Sequence, residues 1–283
     1  MKLFRIAALL PLILEAQTAR FHHVALNVTD PKAAIEFLTK RFDCEAARLG
    51  GEEAVWAQKS WILFNKVATP PPHEIVSSIW HMGWGAEDMK ATYQKQLDMG
   101  TTFQTPLTDI SKLANFNEFY YAYVDGPNHA PIELNTAQHH RFGHMHLLSD
   151  DPVAAGQWYA EHFALKVRKG SSDKRYYEGF QVGPASSFMV DNVNFIIYPA
   201  GYMEKQWPEH WAKHKEFEPT KGRVIDHLGL SVDNLDETIQ RLKGEGVTVG
   251  KPEKFRRTKQ RAVMIEGPDH VGIQLVEGHA QKD

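Results

Sequence analysis

Four times along the chain, an apolar strand opens with histidine, reaches an Asp or Asn seven residues later, and runs on into an amphipathic segment. The copies begin at His23 (HVALNVTDP), His81 (HMGWGAEDM), His144 (HMHLLSDDP) and His227 (HLGLSVDNL). A period of this size marks a chain built by repeating one supersecondary unit, and it constrains the fold more than any single residue does. Asp30, Asp88, Asp151 and Asn234 stand where a helix N-cap belongs, with Pro31 and Pro152 at the favoured first helical position. Ala34, Ile35, Leu38 and Phe42, and later Leu235, Ile239 and Leu242, recur at helical spacing.

The units also close in a regular way. GPNHAPIEL, from Gly126 to Leu134, aligns without a gap to GPDHVGIQL, from Gly267 to Leu275. Each is a tight turn followed by an alternating, half-buried strand. The first and third units close on the apolar runs Trp61 to Phe64 and Phe195 to Tyr198. Each unit therefore reads as strand, helix and about three more strands.

The length of 283 residues, 42% apolar and 24% charged, describes a globular chain rather than a disordered one. A net charge of -3 without a basic run offers no footprint for nucleic acid. The lone Cys44 can make neither an internal disulfide nor a thiolate cluster. At the N-terminus, Lys2 and Arg5 precede the apolar run Ile6 to Leu14 and a small, polar stretch ending at Ala19. That order is a signal peptide's over residues 1–19, and it predicts export to the periplasm or the exterior, with a cytoplasmic chain bearing an ordinary first helix or leader as the alternative. The apolar run is too short for a membrane span.

Alternation puts His81, Gly83 and Gly85 on one face of their strand and Trp80, Met82 and Trp84 on the other, the helix-packing face. On the closing strand Glu133 points inward between Ile132 and Leu134. An inward carboxylate is costly unless something neutralises it. Two histidines and one carboxylate around a divalent ion would do so and leave coordination positions open to substrate. Any one of these histidines alone reads as a core or strand-end residue, whereas the repeat brings several to one register.

Units of this order, opening with an inward His and closing on a turn plus Ile-Glu-Leu, resemble the vicinal oxygen chelate superfamily of glyoxalase I, fosfomycin-resistance enzymes, bleomycin-binding proteins and extradiol dioxygenases. The resemblance runs from Phe21 to Gly278. It implies an α+β chain whose four βαβββ units pair into two half-open barrels, a glyoxalase-like fold. The expected barrels are residues 21–137 (units 21–67 and 78–137) and 142–278 (units 142–200 and 225–278). It further implies one divalent metal (Fe, Mn, Ni or Zn) on His23, His81 and Glu133, with Glu133 and Tyr123 as the catalytic residues. Tyr123 lies ten residues before Glu133, where both dioxygenases and fosfomycin-resistance enzymes carry a Tyr. The aromatic Phe119, Tyr120 and Tyr121 beside it equally fit simple packing. His144, His227 and Gln274 would form a second, weaker site, because Gln is a neutral ligand and Met264 replaces the Tyr; His146 also points inward there. His129 reads as a turn residue. The segment Gly201 to Arg223, with Trp207 and Trp211, reads as a packed surface helix or an aromatic lid.

The expected function is a metal-dependent lyase or isomerase acting on a small molecule that chelates the ion through adjacent oxygens. The missing acid in Trp61 to Asn65 argues against a strict glyoxalase I. An extradiol dioxygenase is the alternative, although Ala114 stands where such enzymes place a further histidine. The second alternative is a metal-free binding protein of the bleomycin-resistance type.

Overall fold

The computed structural model describes residues 18–214, 216–279 and 282. The leader expected at 1–19 lies outside them up to residue 17. Unit one comprises β1 (Arg20–Val28), α1 (Pro31–Arg41), β2 (Glu45–Leu49), β3 (Glu52–Ala57) and β4 (Ser60–Lys66). Unit two has β5 (Ile79–Ala86), α2 (Met89–Asp98), β6 (Phe103–Asp109), the short α3 (Ser111–Ala114), β7 (Tyr120–Asp125) and β8 (Pro131–Thr136). In unit three come β9 (Phe142–Ser149), α4 (Pro152–Phe163), β10 (Val167–Tyr177), β11 (Phe180–Val190) and β12 (Val193–Pro199). Two short helices, α5 (Gly201–Gln206) and α6 (Pro208–Trp211), precede unit four: β13 (Ile225–Val232), α7 (Leu235–Gly244), β14 (Glu253–Lys254), β15 (Arg261–Glu266) and β16 (Gly272–Glu277).

All four long helices start as their sequences dictate. The side chains of Asp30, Asp88, Asp151 and Asn234 accept backbone N–H bonds from Ala33, Ala91, Val153 with Ala154, and Glu237 respectively. Each cap of this kind is worth about 1 kcal/mol. The two Gly-Pro turns are also alike. Asn128 and Asp269, at φ 52° and 53°, take the left-handed conformation that Asn and Asp tolerate best.

The repeats assemble into two eight-stranded sheets, in the orders β14-β15-β16-β13-β1-β4-β3-β2 and β10-β11-β12-β9-β5-β8-β7-β6. Each sheet thus takes one unit from each half of the chain. Units one and four join through antiparallel β1 and β13, and units two and three through antiparallel β5 and β9. The expected pairing of consecutive units within 21–137 and within 142–278 is therefore not what forms. Chain reach permits this arrangement. Residues 137–141 need only carry the chain from β8 past β5 to β5's other edge, roughly 10 Å at two strand spacings. Residues 67–78 and 200–224 make the longer crossings between sheets.

Between the sheets lies a continuous apolar core that includes Val24 and Leu26 of β1, Met82 and Trp84 of β5, and Met145 and Leu147 of β9. Phe21 meets Phe195 edge-on at 5.3 Å, and Trp84 packs between Phe42 (4.8 Å) and Phe142 (4.9 Å). Burying each such ring contributes about 1.5–3 kcal/mol. The alternate residues, among them His23, His81 and His144, turn away from this core toward the hollow of their own sheet. Among the described residues no helix is long and apolar enough to cross a membrane.

Candidate metal centre

In the sheet of units two and three, His81, Glu133, His144 and His146 bring one ligand atom each to within 4.8 Å of one another, and all four are buried. Three strands position them. Gly83 pairs with Glu133 on one side of β5 and with His144 on the other, so β8 and β9 deliver their side chains to the same level of the sheet. Gly83 is glycine for a reason: a Cβ there would lie 2.0 Å from Cε1 of His144. The imidazole occupies the space a side chain would need.

The donor atoms are poised but unsatisfied. His81 Nε2 stands 2.9 Å from Glu133 Oε2, and His144 Nε2 stands 3.5 Å from Glu133 Oε1. Neither nitrogen is aligned for a hydrogen bond, and His81 Nδ1 and His146 Nδ1 are buried without a partner as well. Orphaned buried polar atoms are rare and costly, and here they converge beside a buried carboxylate. Burial drives all three imidazoles toward the neutral, ligand-competent form: His144 falls to about 4, held from falling further by Glu133, and His81 and His146 fall well below the usual histidine range. Asn135 Nδ2 donates to Glu133 Oε1 at 2.9 Å and fixes the carboxylate, as outer partners of metal ligands do. Imidazole with one carboxylate suits Fe, Mn, Ni or Zn rather than the all-oxygen Ca or Mg.

Tyr123 sits directly opposite Glu133 in the β7–β8 ladder, with its ring 5.0 Å from that of His81. Burial, then the adjacent Glu133 carboxylate, pushes its phenol well above the ordinary value, so it stays protonated. Trp80 was expected on the helix-packing face with Met82 and Trp84. Instead, a register irregularity between Ile79 and His81 turns it into the hollow, where it packs against His81 at 4.4 Å. The result is a cavity of about 310 Å³ with Glu133 and His146 in its wall and aromatic sides including Trp80, Tyr121, Tyr198 and Tyr202. Tyr202 of α5 closes over Trp80 at 5.0 Å, while Trp207 and Trp211 pack into the adjoining apolar cluster. The 201–223 segment therefore supplies both a wall and a packed support.

His23 is not part of this group. It lies in the other sheet, where its Nε2 is 3.2 Å from Nε2 of His227 and its Nδ1 is 2.9 Å from Nδ1 of His22. Asp226 accepts from Nδ1–H of His227, which fixes the tautomers in turn: His23 donates to His227, and His22 donates to His23. Both ring nitrogens of His23 are thus engaged, whereas those of His81 are free. The expected set of His23, His81 and Glu133 is corrected to His81, Glu133 and His144, with His146 beside them. The second set divides likewise: His227 and Gln274 stay with His23, and His144 joins the first site. Met264 pairs with Gln274 as Tyr123 pairs with Glu133, so the two sheets are related position by position. His146 corresponds to Ala25, so the other sheet has no imidazole at that place. His129 is a turn residue, bonded to Asp125 at 3.0 Å.

The Glyoxalase/Bleomycin resistance protein/Dioxygenase superfamily model matches residues 20–133 and 141–275. Glyoxalase I from Zea mays superposes with a TM-score of 0.67 at 11% identity, covering 92% of each chain. A candidate dioxygenase from Bacillus subtilis gives 0.63 at 11%, covering 93% of this chain and 86% of its own. No curated protein matches the sequence significantly. At such identities the structural likeness speaks for the fold alone, but the family model spans both halves of the chain. With its fourfold unit and its two curled sheets, the chain belongs to the Glyoxalase/Bleomycin resistance protein/Dioxygenase superfamily.

Proposed function

We propose that this chain is a metal-dependent vicinal oxygen chelate enzyme, a glyoxalase-like lyase or isomerase whose small substrate binds through two adjacent oxygens. The observation that carries the reading is the buried cluster of His81, Glu133, His144 and His146, in which nitrogens of all three imidazoles lack a hydrogen-bond partner. When bound there, a divalent ion supplies Lewis-acid polarisation of substrate oxygens. The protein's own groups do the rest. Tyr123, kept protonated, donates a hydrogen bond or a proton at the reacting oxygen. His146, neutral and beside His81 at 4.5 Å between ring centres, can accept one. Asn135 holds Glu133 in place, and the aromatic walls exclude water and grip an apolar body.

A second reading, an extradiol-type dioxygenase, is favoured by one specific feature. Beyond two histidines and a glutamate, the hollow offers a further neutral imidazole, His146, and a phenol, Tyr123. Reconstitution with Fe, Mn, Ni and Zn, followed by parallel assays of 2-hydroxycarbonyl compounds and catechols in an oxygen electrode, separates the two. Isomerisation or lysis without oxygen uptake supports the lyase; stoichiometric uptake with iron and a catechol supports the dioxygenase. Failure to take up any of the four metals refutes both. Export is proposed as well, on the order of residues 1–19. N-terminal sequencing tests it, with a start at or just after Ala19 expected and an intact Met1 against it.

A further inference from the structure

The cavity beside the metal ligands adjoins a wider cleft of about 630 Å³, and the two share six wall residues, Asn135, Arg175 and Tyr198 among them. Arg141, Arg168 and Arg175 line the outer cleft, together with His144 of the metal site. No carboxylate lines it. Among the described residues none of these three arginines has an acidic partner, although the chain as a whole has more acids (35) than lysines and arginines (32). Three guanidinium groups without a counter-charge in one cleft wall raise the local positive potential and favour an anion there. A donor in the same wall is left waiting: Arg141 Nε is buried without a partner. A planar guanidinium fork recognises an oxyanion in two-point fashion.

We infer that the outer cleft binds an oxyanion of the substrate, a carboxylate or a phosphonate. The substrate is thus an acid whose chelating oxygens reach the metal ligands while its charged end lies against Arg141, Arg168 and Arg175. This rests on the chelating role proposed above. It adds a substrate class: organic acids with an apolar body, rather than neutral diols or carbonyls.

The test uses the cobalt-loaded protein and three probes with one chelating head: catechol, 3,4-dihydroxybenzoate and 3,4-dihydroxyphenylphosphonate. Binding is followed by the cobalt absorption bands and, independently, by calorimetry. At low salt at least one acid is expected to bind tenfold or more tighter than catechol, the preferred acid naming the oxyanion. That advantage, taken as the ratio of acid to catechol affinity in the same protein, should shrink with salt and vanish in an Arg168→Gln, Arg175→Gln double variant, both substitutions being at exposed residues. Acids binding no tighter than catechol, or an advantage that survives in the double variant, overturns the inference. Calorimetric acid binding that needs the arginines but leaves the cobalt bands unmoved would sink the chelation reading and leave the anion cleft standing.

Discussion

Replacing Gly83 with Ala tests the site's location and its tolerance together. The new Cβ would meet His144 at 2.0 Å from Cε1, 2.1 Å from Nε2 and 2.7 Å from Nδ1. Non-bonded heavy atoms settle near 3.5 Å, so the ring must retreat by roughly 1.5 Å. Metal ligands tolerate about 0.2 Å. His144 is then lost as a ligand, and divalent metal affinity should fall at least about a hundredfold, more than outer partners usually carry. The opposite sheet provides a matched control. A Cβ on Gly229 would lie 1.9 Å from Nδ1 of His23, an equal insult at the corresponding position. Both variants should lose about 1–3 kcal/mol of stability from overpacking, but Gly229→Ala should keep its metal. Calorimetric titration with zinc or nickel, alongside thermal unfolding, reads both effects. Full affinity in Gly83→Ala, or loss in Gly229→Ala alone, would refute the argument and return the metal to His23.

Glu133→Gln keeps the shape and removes the charge, so the protein should fold with its melting point little changed while metal affinity drops by two orders of magnitude or more, as measured by elemental analysis after dialysis. Tyr123→Phe should lower kcat by about 10²- to 10⁴-fold, the usual share of a positioned proton donor, with metal content unchanged; equal kcat would assign Tyr123 to packing. For the metal-free protein, His144 at about 4 and His22 at about 3 are both depressed below the ordinary 6.5. The unfolded chain therefore takes up protons below pH 6.5 that the fold does not. Stability is full above that point and declines as pH falls toward 4, by about 1.4 kcal/mol per unit for each such histidine. Urea unfolding at pH 7.5, 6 and 5 should show this slope, and a flat profile would contradict the buried neutral state.

Much of this was legible because local chemistry set it. The caps at Asp30, Asp88, Asp151 and Asn234, the two Gly-Pro turns and the alternation placing Glu133 inward are decided within a few residues. The partner of His81 is not local. Every unit opens with the same inward histidine, so the sequence alone presents β1 and β9 as equally good neighbours for β5, and the expectation of consecutive pairing chose β1. A signal was present nonetheless: unit three carries two inward histidines, His144 and His146, where unit one has His23 and Ala25. The turning of Trp80 into the hollow depends on an irregularity in the β5–β9 register, which no periodicity reveals. The arginine cleft likewise arises only when the long β10–β11 hairpin and residues 139–143 meet around it.

One divalent ion is expected to bind in the sheet of units two and three. A crystal of zinc-soaked protein, measured at the zinc absorption edge, locates the metal without reference to activity. The expected map has one strong anomalous peak per chain, within bonding distance of His81, Glu133 and His144. A peak between His23 and His227 instead, or none near Glu133, would contradict it.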